Sequence, residues 1–143
     1  MKTLICLTCL IFTLPLLEAR PMRSWTYQEL FDESDTVIIA TATKSHSLAD
    51  FISPTGYTGP VEAYQTDFTV LGVFKGDKDK EVRMTFYRLP KHNIPIPNGP
   101  GFIDIDTKEN NRYLLFLKDG HPVSGDIDPI FSVRKVESWS SIP

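Results

Sequence analysis

The sequence predicts an all-β domain of five strands with one short N-terminal helix. Three observations support this fold class: β-branched and aromatic residues cluster in segments of strand length, turn residues separate these segments, and one long segment changes the phase of its alternation midway. A bent strand and so few strands favour a partly open Greek-key barrel, because a two-sheet sandwich usually needs about seven strands.

Residues 24–34, SWTYQELFDES, form the predicted helix. Ser24 or Thr26 can cap its N-terminus, and Thr26 with Glu29 has the spacing of a capping box. The residues expected to face the core are Trp25, Leu30 and Phe31. Trp25 is interpreted as a packing anchor and not as a ligand contact, because large aromatic side chains usually bury much of their surface.

The strand pattern recurs in five segments. They span residues 36–43, 63–74, 81–89, 112–118 and 130–136. The first and fourth are apolar on both faces, which indicates strands that are covered on both sides. The third alternates cleanly between an apolar and a polar face. Its apolar set is Val82, Met84 and Phe86, and its opposite set is Arg83, Thr85 and Tyr87.

The second strand contains the phase change, in the stretch DFTVLGVFKG. Apolar residues stand at Phe68 and Val70, then at Val73 and Phe74, so the alternation restarts around Gly72. A β-bulge or a glycine kink produces such a change, and small barrels need such bends to curl one strand between two parts of the sheet. The sequence therefore predicts a barrel of the OB-fold type.

The N-terminus has the features of a secretory signal. A positive start precedes an apolar run over residues 3–17, which is shorter than the roughly 20 residues of a bilayer span. The prediction is a signal peptide at 1–19 and a single exported domain at 20–143, periplasmic or secreted, with no stable membrane span after cleavage. Because Cys6 and Cys9 both lie in the signal, the mature domain would contain no cysteine and no disulfide.

Charge argues against nucleic acid as a partner. Cleavage removes one basic and one acidic residue, so the mature charge is 14 − 17 = −3, equal to that of the full chain. A nucleic-acid binder gains much of its affinity by neutralising phosphates, which requires a basic surface.

No catalytic motif stands out. The three histidines, His46, His92 and His121, fall in predicted loops without the spacing of a metal pair. Neither G-x-S-x-G nor a phosphate-binding glycine loop occurs. The sequence thus favours a non-catalytic protein without a cofactor or metal. The alternative is a loop-based, metal-dependent hydrolase that uses His46, His92 and Asp104 or Asp106.

The two long connections, 45–60 and 90–101, are rich in apolar residues for loops. In an OB-type barrel, ligands lie across the second and third strands and the adjacent loops. The predicted binding residues are Phe51, Tyr57, Arg83, Thr85, Tyr87, Ile94, Ile96 and Phe102. They predict recognition of a protein or peptide partner. Two alternatives stay open: the loops cap the barrel, with the proline-rich segment as a lid, or the face binds carbohydrate.

The order of elements resembles that of OB-fold netrin-like modules, which include the tissue inhibitors of metalloproteinases. The segments that carry the resemblance are SDTVIIATATK, TDFTVLGVFKGD, VRMTFY and RYLLFL followed by DGHPVSGD, with Trp139 placed after the last strand. Those inhibitors chelate zinc through an N-terminal cysteine, which the predicted mature domain at 20–143 would lack, so inhibition by that mechanism is not carried over.

A second resemblance covers nearly the whole mature chain. The set SWTYQELFDESDTVIIA, FKGD, GFIDID, RYLLFLKDG and PVSGDIDPIFSV is similar to an uncharacterised family of short exported bacterial proteins. This resemblance implies an exported, cysteine-free, OB-like domain and implies no particular activity.

Overall fold

The computed structural model describes residues 23–50, 52–54, 56–77, 79–90, 99–107 and 111–136. One α-helix, α1 (Tyr27–Glu33), precedes the strands. The strands are β1 (Thr36–Leu48), β2 (Glu62–Lys75), β3 (Glu81–Arg88), β4 (Arg112–Lys118), β5 (His121–Pro122) and β6 (Val133–Val136). A 3-10 helix, Pro129–Phe131, ends just before β6.

Several sequence predictions lie outside the described residues. They are the signal peptide at 1–19, most of the proline-rich connection, and the residues Phe51, His92, Ile94, Ile96 and Trp139. They stay predictions.

The described strands form one antiparallel sheet in the order β3-β2-β1-β4-β5, and β6 pairs with the same edge of β4 as β5. Three consecutive strands and a fourth that returns beside the first make a Greek key. Within the described ranges no pairing joins β3 to β5 or β6, so the sheet is not closed. The predicted all-β, partly open barrel with one short helix is confirmed.

The sheet has an apolar core on each face. On its inner face, residues from five strands pack together and include Ile38, Phe68, Met84, Leu115 and Val133. On its outer face, Val37, Leu114 and Phe116 pack beneath Leu30 of α1. Because β1 and β4 contribute to both cores, their continuous apolar runs are buried on both sides, as the sequence predicts.

Strand β2 bends where the sequence predicts it. Its register against β1 skips two residues, Leu71 and Phe74, and each skip is a β-bulge. The bulges allow Val70 and Val73 to pack against the inner core although they stand three positions apart. The skipped side chains, in contrast, are 53% and 55% exposed. Gly72 lies directly after the first bulge, so the predicted change of phase is confirmed.

Strand β1 is longer than predicted. It continues past residue 43 to Leu48, because its pairing with β2 resumes at Lys44 after a further bulge at Thr43. Ser45 and His46, which the sequence places in a loop, are therefore strand residues. Backbone pairing with the long β2 determines this end of β1, and apolar alternation gives no signal for it.

The predicted fifth strand, 130–136, is divided. Its first residues belong to the 3-10 helix that begins at Pro129, and β6 begins only at Val133. Proline has no N–H to donate to a strand ladder and suits the first turn of a helix. With the two-residue β5, the described chain has six strands where five were predicted.

Helix α1 is shorter than predicted and begins after Thr26. The predicted capping box is present: the backbone N–H of Glu29 donates to Thr26 Oγ1 at 3.2 Å, and that of Thr26 donates to Glu29 Oε2 at 2.8 Å. Leu30 is buried and Trp25 packs beside it, but Phe31 is exposed. A seven-residue helix has room for one buried row only, and Phe31 lies beside that row.

Candidate functional site

An apolar cleft lies between α1 and the outer face of the sheet, with a volume of about 310 Å³. Its floor is made of buried side chains, Val37, Leu114 and Phe116. Its walls are three exposed aromatic residues and one amide, Tyr27, Phe31, Phe74 and Gln28. We call this feature the α1 cleft. Contiguous exposed apolar surface of this kind marks sites of interaction, whereas scattered apolar residues do not.

Two local features of the sequence build the α1 cleft. On α1, Tyr27 and Phe31 stand four positions apart and therefore share one side of the helix. The Tyr27 ring packs against Phe116 at 6.0 Å between centroids. On β2, the second bulge turns Phe74 away from the barrel interior and toward the helix. Phe31 and Phe74 belong to neither apolar core, and both face the cleft.

The helix is fixed against the sheet by a lysine at its C-terminal end. Lys75 Nζ donates to the backbone oxygens of Phe31 and Asp32 at 2.7 and 3.2 Å. The same ammonium lies 5.1 Å from the centre of the Phe31 ring. A cation at a helix C-terminus compensates the partial negative charge of its carbonyls. One wall of the cleft is thus held in place by β2.

The Asp32 carboxylate stands at the rim of the α1 cleft. The helix carries Glu29, Asp32 and Glu33, and among the described residues Arg23 forms ion pairs with the two glutamates, at 3.6 and 3.1 Å. The Asp32 carboxylate accepts a hydrogen bond from the side-chain amide of Gln28, which lines the cleft, at 2.8 Å. A negative charge therefore stands beside apolar surface.

The predicted barrel face is present, but one of its residues is covered. Arg83, Thr85 and Tyr87 lie on the outside of β3 while Met84 and Phe86 are buried inside, as predicted. Tyr87 is only 8% exposed. Its hydroxyl donates to the backbone oxygen of Ile52 at 2.9 Å, and burial, followed by the charge of Asp126, raises the pKa of Tyr87.

Arg83 is engaged in an ion pair on the same face. Its Nε donates to Asp67 Oδ1 at 2.6 Å, and this bond holds the pKa of the Asp67 carboxyl below its ordinary value. Thr85 is half-buried and pairs across the sheet with Gln65. The exposed part of this face therefore carries the Arg83–Asp67 ion pair.

The described parts of the two long connections meet each other. Tyr57 packs edge-on against Phe102, with 5.6 Å between ring centroids and 85° between the planes. Pro54 is buried, and Tyr57 N–H donates to its backbone oxygen at 3.2 Å. This contact agrees with the alternative in which loop apolar residues cap the barrel. Ile52, on the same loop, is 88% exposed.

A second cavity, of about 400 Å³, opens on the inner face near the end of β1. It is lined by residues of β1, β2, β3 and the segment 104–107. We call it the mouth cavity. His46, Asp104 and Asp106, three residues of the alternative hydrolase, all line it. However, the described residues contain no group of three His, Cys, Asp or Glu side chains placed to hold a metal ion.

No protein-family model and no curated protein sequence matches the chain. The fold defines the class of protein, a small all-β domain built on one open antiparallel sheet. The resemblances to netrin-like modules and to exported bacterial proteins stay predictions. In the described ranges, no helix has the length and apolar character needed to cross a membrane.

The sequence did not predict the α1 cleft. The sequence groups Phe74 with the inward apolar residues of its strand, because a single change of phase accounts for the order of apolar residues as well as two bulges do. A usable signal exists in α1: an apolar pair four apart, Tyr27 and Phe31, is offset from the buried Leu30. A short helix with two apolar sides can bury only one of them against the sheet, so the second side indicates a further contact.

Proposed function

We propose that this protein is an exported, non-catalytic module that recognises a protein partner, and that the α1 cleft receives an apolar segment of that partner. The observation that carries the proposal is the group of exposed aromatic side chains, Tyr27, Phe31 and Phe74, over a buried apolar floor. Such an arrangement has the composition of an interface core, where aromatic residues dominate the binding energy.

The charge of the rim specifies the partner further. Asp32 stands beside the cleft, and Lys75, whose ammonium lies 5.1 Å from the Phe31 ring, donates to helix carbonyls. A partner segment with two or three apolar side chains flanked by lysine or arginine would place its charges near this carboxylate. Complementary charges of this kind speed association and select among partners more than they add affinity.

The test is a selection from a random peptide library against the mature domain, residues 20–143, followed by calorimetric titration of the selected peptides. We expect the selected peptides to combine apolar and basic residues. Phe74→Asp should weaken their binding at least about tenfold, because it places an unpaired charge against the apolar floor.

The matched control is Ile52→Asp, which makes the same kind of change at a side chain that is 88% exposed and outside the α1 cleft. This variant should bind as the unaltered domain does. Equal affinity of the Phe74→Asp variant would exclude the cleft, and selected peptides rich in Asp and Glu would contradict the charge argument. Loss of binding only in Arg83→Ala and Thr85→Ala would instead locate recognition on the barrel face predicted from sequence.

A further inference from the structure

The inner face of the sheet changes character along the strands. Toward one end, Ala42 of β1 and its partner Phe68 of β2 belong to the inner core. Beyond them, the same face continues with Ser45 opposite Thr66 and then Ser47 opposite Tyr64. Side chains with hydroxyl groups therefore replace purely apolar side chains toward this end of the strands. The space beside these hydroxyl groups is the mouth cavity and not packed core.

The hydroxyl groups are ordered by hydrogen bonds within the cavity wall. Thr66 Oγ1 donates to Ser45 Oγ at 2.9 Å, deep in the wall. Tyr64 OH donates to Glu62 Oε2 at 3.0 Å. Burial and this carboxylate raise the pKa of Tyr64, so its phenol remains a donor across the physiological range. Fixed donors and acceptors at the mouth of a barrel are the setting in which small polar ligands bind.

Arg88 occupies the charged end of the mouth cavity. Its Nε contacts Glu62 Oε2 at 3.3 Å, its Nη1 contacts Asp104 Oδ1 at 3.6 Å, and its Nη2 donates to Tyr64 OH. The guanidinium carbon lies 3.8 Å from the centre of the Tyr64 ring, whose other neighbour is Phe86 at 5.7 Å. The cation is thus held between carboxylates and stacked on an aromatic ring.

This charge arrangement restricts the ligand. An anion would approach Glu62 and Asp104 together with Arg88, and a cation would compete with the guanidinium for the same carboxylates. A neutral ligand with several hydroxyl groups meets neither cost, because each hydroxyl both donates to a carboxylate or serine and accepts from the arginine or a hydroxyl. A volume of about 400 Å³ falls within the range of small-ligand sites, roughly 300–1,000 Å³.

We infer that the mouth cavity is a binding site for a neutral sugar, recognised by the hydroxyls of Ser45, Ser47 and Tyr64 together with the Arg88–Asp104 pair. The site is separate from the α1 cleft and does not depend on the proposed protein partner. The inner face and the outer face of one sheet thus carry two different kinds of site.

The experiment is saturation-transfer NMR on the full mature domain with single neutral sugars: glucose, galactose, mannose and N-acetylglucosamine. Glucuronate and glucosamine serve as the anionic and cationic probes. At least one neutral sugar should give saturation transfer and a measurable dissociation constant. The absence of transfer to all four neutral sugars, or transfer to a charged probe alone, overturns the inference.

Two variants locate the binding. Ser47→Leu extends a larger apolar side chain at the cavity wall and should weaken sugar binding at least about tenfold, whereas Thr85→Leu, on the opposite face of the sheet, should leave it unchanged. Ser45→Ala removes one wall hydroxyl with almost no change in volume and should weaken binding several-fold. If Ser47→Leu and Ser45→Ala both bind as the unaltered domain does, the cavity is not the site. Phe74→Asp should retain sugar binding, which separates this result from the test of the α1 cleft.

Discussion

The two faces of the sheet are built in different ways. The inner core receives side chains from five strands, β1, β2, β3, β4 and β6, and from Ile105 of the segment before β4. The outer core has a floor of three strand residues and is covered mainly by one short helix through Leu30. The inner face is therefore supported from many directions, whereas the outer face depends on how one helix is placed. The α1 cleft lies where this cover is narrow.

The largest expected effect distinguishes these faces directly. Phe68 is fully buried in the inner core, with its ring edge against Tyr113 at 6.0 Å. Phe68→Ala should lower the free energy of unfolding by about 3–5 kcal/mol, because it removes apolar burial and leaves a cavity that a multiply supported core cannot fill. Urea denaturation of the protein measures this. A loss below about 1 kcal/mol would mean that the inner core is loosely packed, and would contradict the conclusion that the inner face is the better supported of the two.

The next effect concerns the bulge that couples the two faces. A Cβ added at Gly72 would lie 3.1 Å from Ile39 Cγ2, and Ile39 pairs with both β2 and β4. Gly72→Val should cost about 1–3 kcal/mol by overpacking this contact. Denaturation gives the energy, and the same peptide titration used for Phe74→Asp reports the cleft. We expect weaker peptide binding in Gly72→Val, because a shift at Ile39 moves the strand that positions Phe74.

A matched control for Gly72→Val lies one position earlier in the same strand. Leu71→Ala, at the neighbouring exposed bulge position, should change stability by no more than about 0.5 kcal/mol. If Gly72→Val is equally neutral, the close approach to Ile39 carries no energetic weight. If it destabilises without any effect on peptide binding, the bulge supports the barrel alone.

The sequence predicts the inner face of the sheet better than the outer face. Period-two alternation predicts β3 almost to the residue, a continuous apolar run predicts β4, and the phase of the neighbouring residues locates the bend at Gly72. The outer face depends on side chains that alternation does not constrain. Phe31 and Phe74 therefore appeared to belong to cores, yet both are exposed.

The predicted binding surface shows the limit for loops. Tyr87 was expected on an open face, and its position on the strand is right, but the connection after β1 covers it. The path of that connection depends on its contacts with the second connection, such as Tyr57 with Phe102. Contacts between two irregular segments have no sequence period. The sequence does not predict the mouth cavity, because it places Ser45 and Ser47 in a loop, and only a strand gives alternate side chains a common inward direction.

The smallest expected effect tests the outer face through the helix cap. Thr26→Ala removes the hydroxyl that accepts from Glu29 N–H and donates to its carboxylate, and should cost about 1 kcal/mol of stability. Because the helix is the narrow cover of the outer core, hydrogen exchange should accelerate in α1 while β3 and β4 keep their protection. Peptide binding in the α1 cleft should weaken several-fold, and sugar binding in the mouth cavity should not change. Uniform acceleration across the sheet would show that the two faces unfold as one unit.

The cap also gives this face a pH dependence with a definite sign. Hydrogen bonds from the Thr26 backbone and then its side chain hold the pKa of Glu29 below its ordinary value of 4.5. A carboxylate with a lowered pKa in the folded state stabilises the protein above that ordinary value, and the stabilisation is lost as the pH falls through the lowered pKa. The protection factors of the α1 amides, which are corrected for intrinsic exchange at each pH, should therefore fall on acidification through this window relative to those of the inner strands. The fall should be smaller in Thr26→Ala, which keeps the backbone bond but lacks the hydroxyl. An identical pH profile in the variant would show that the backbone bond alone caps the helix, and that the Thr26 hydroxyl does not help to hold the wall of the cleft.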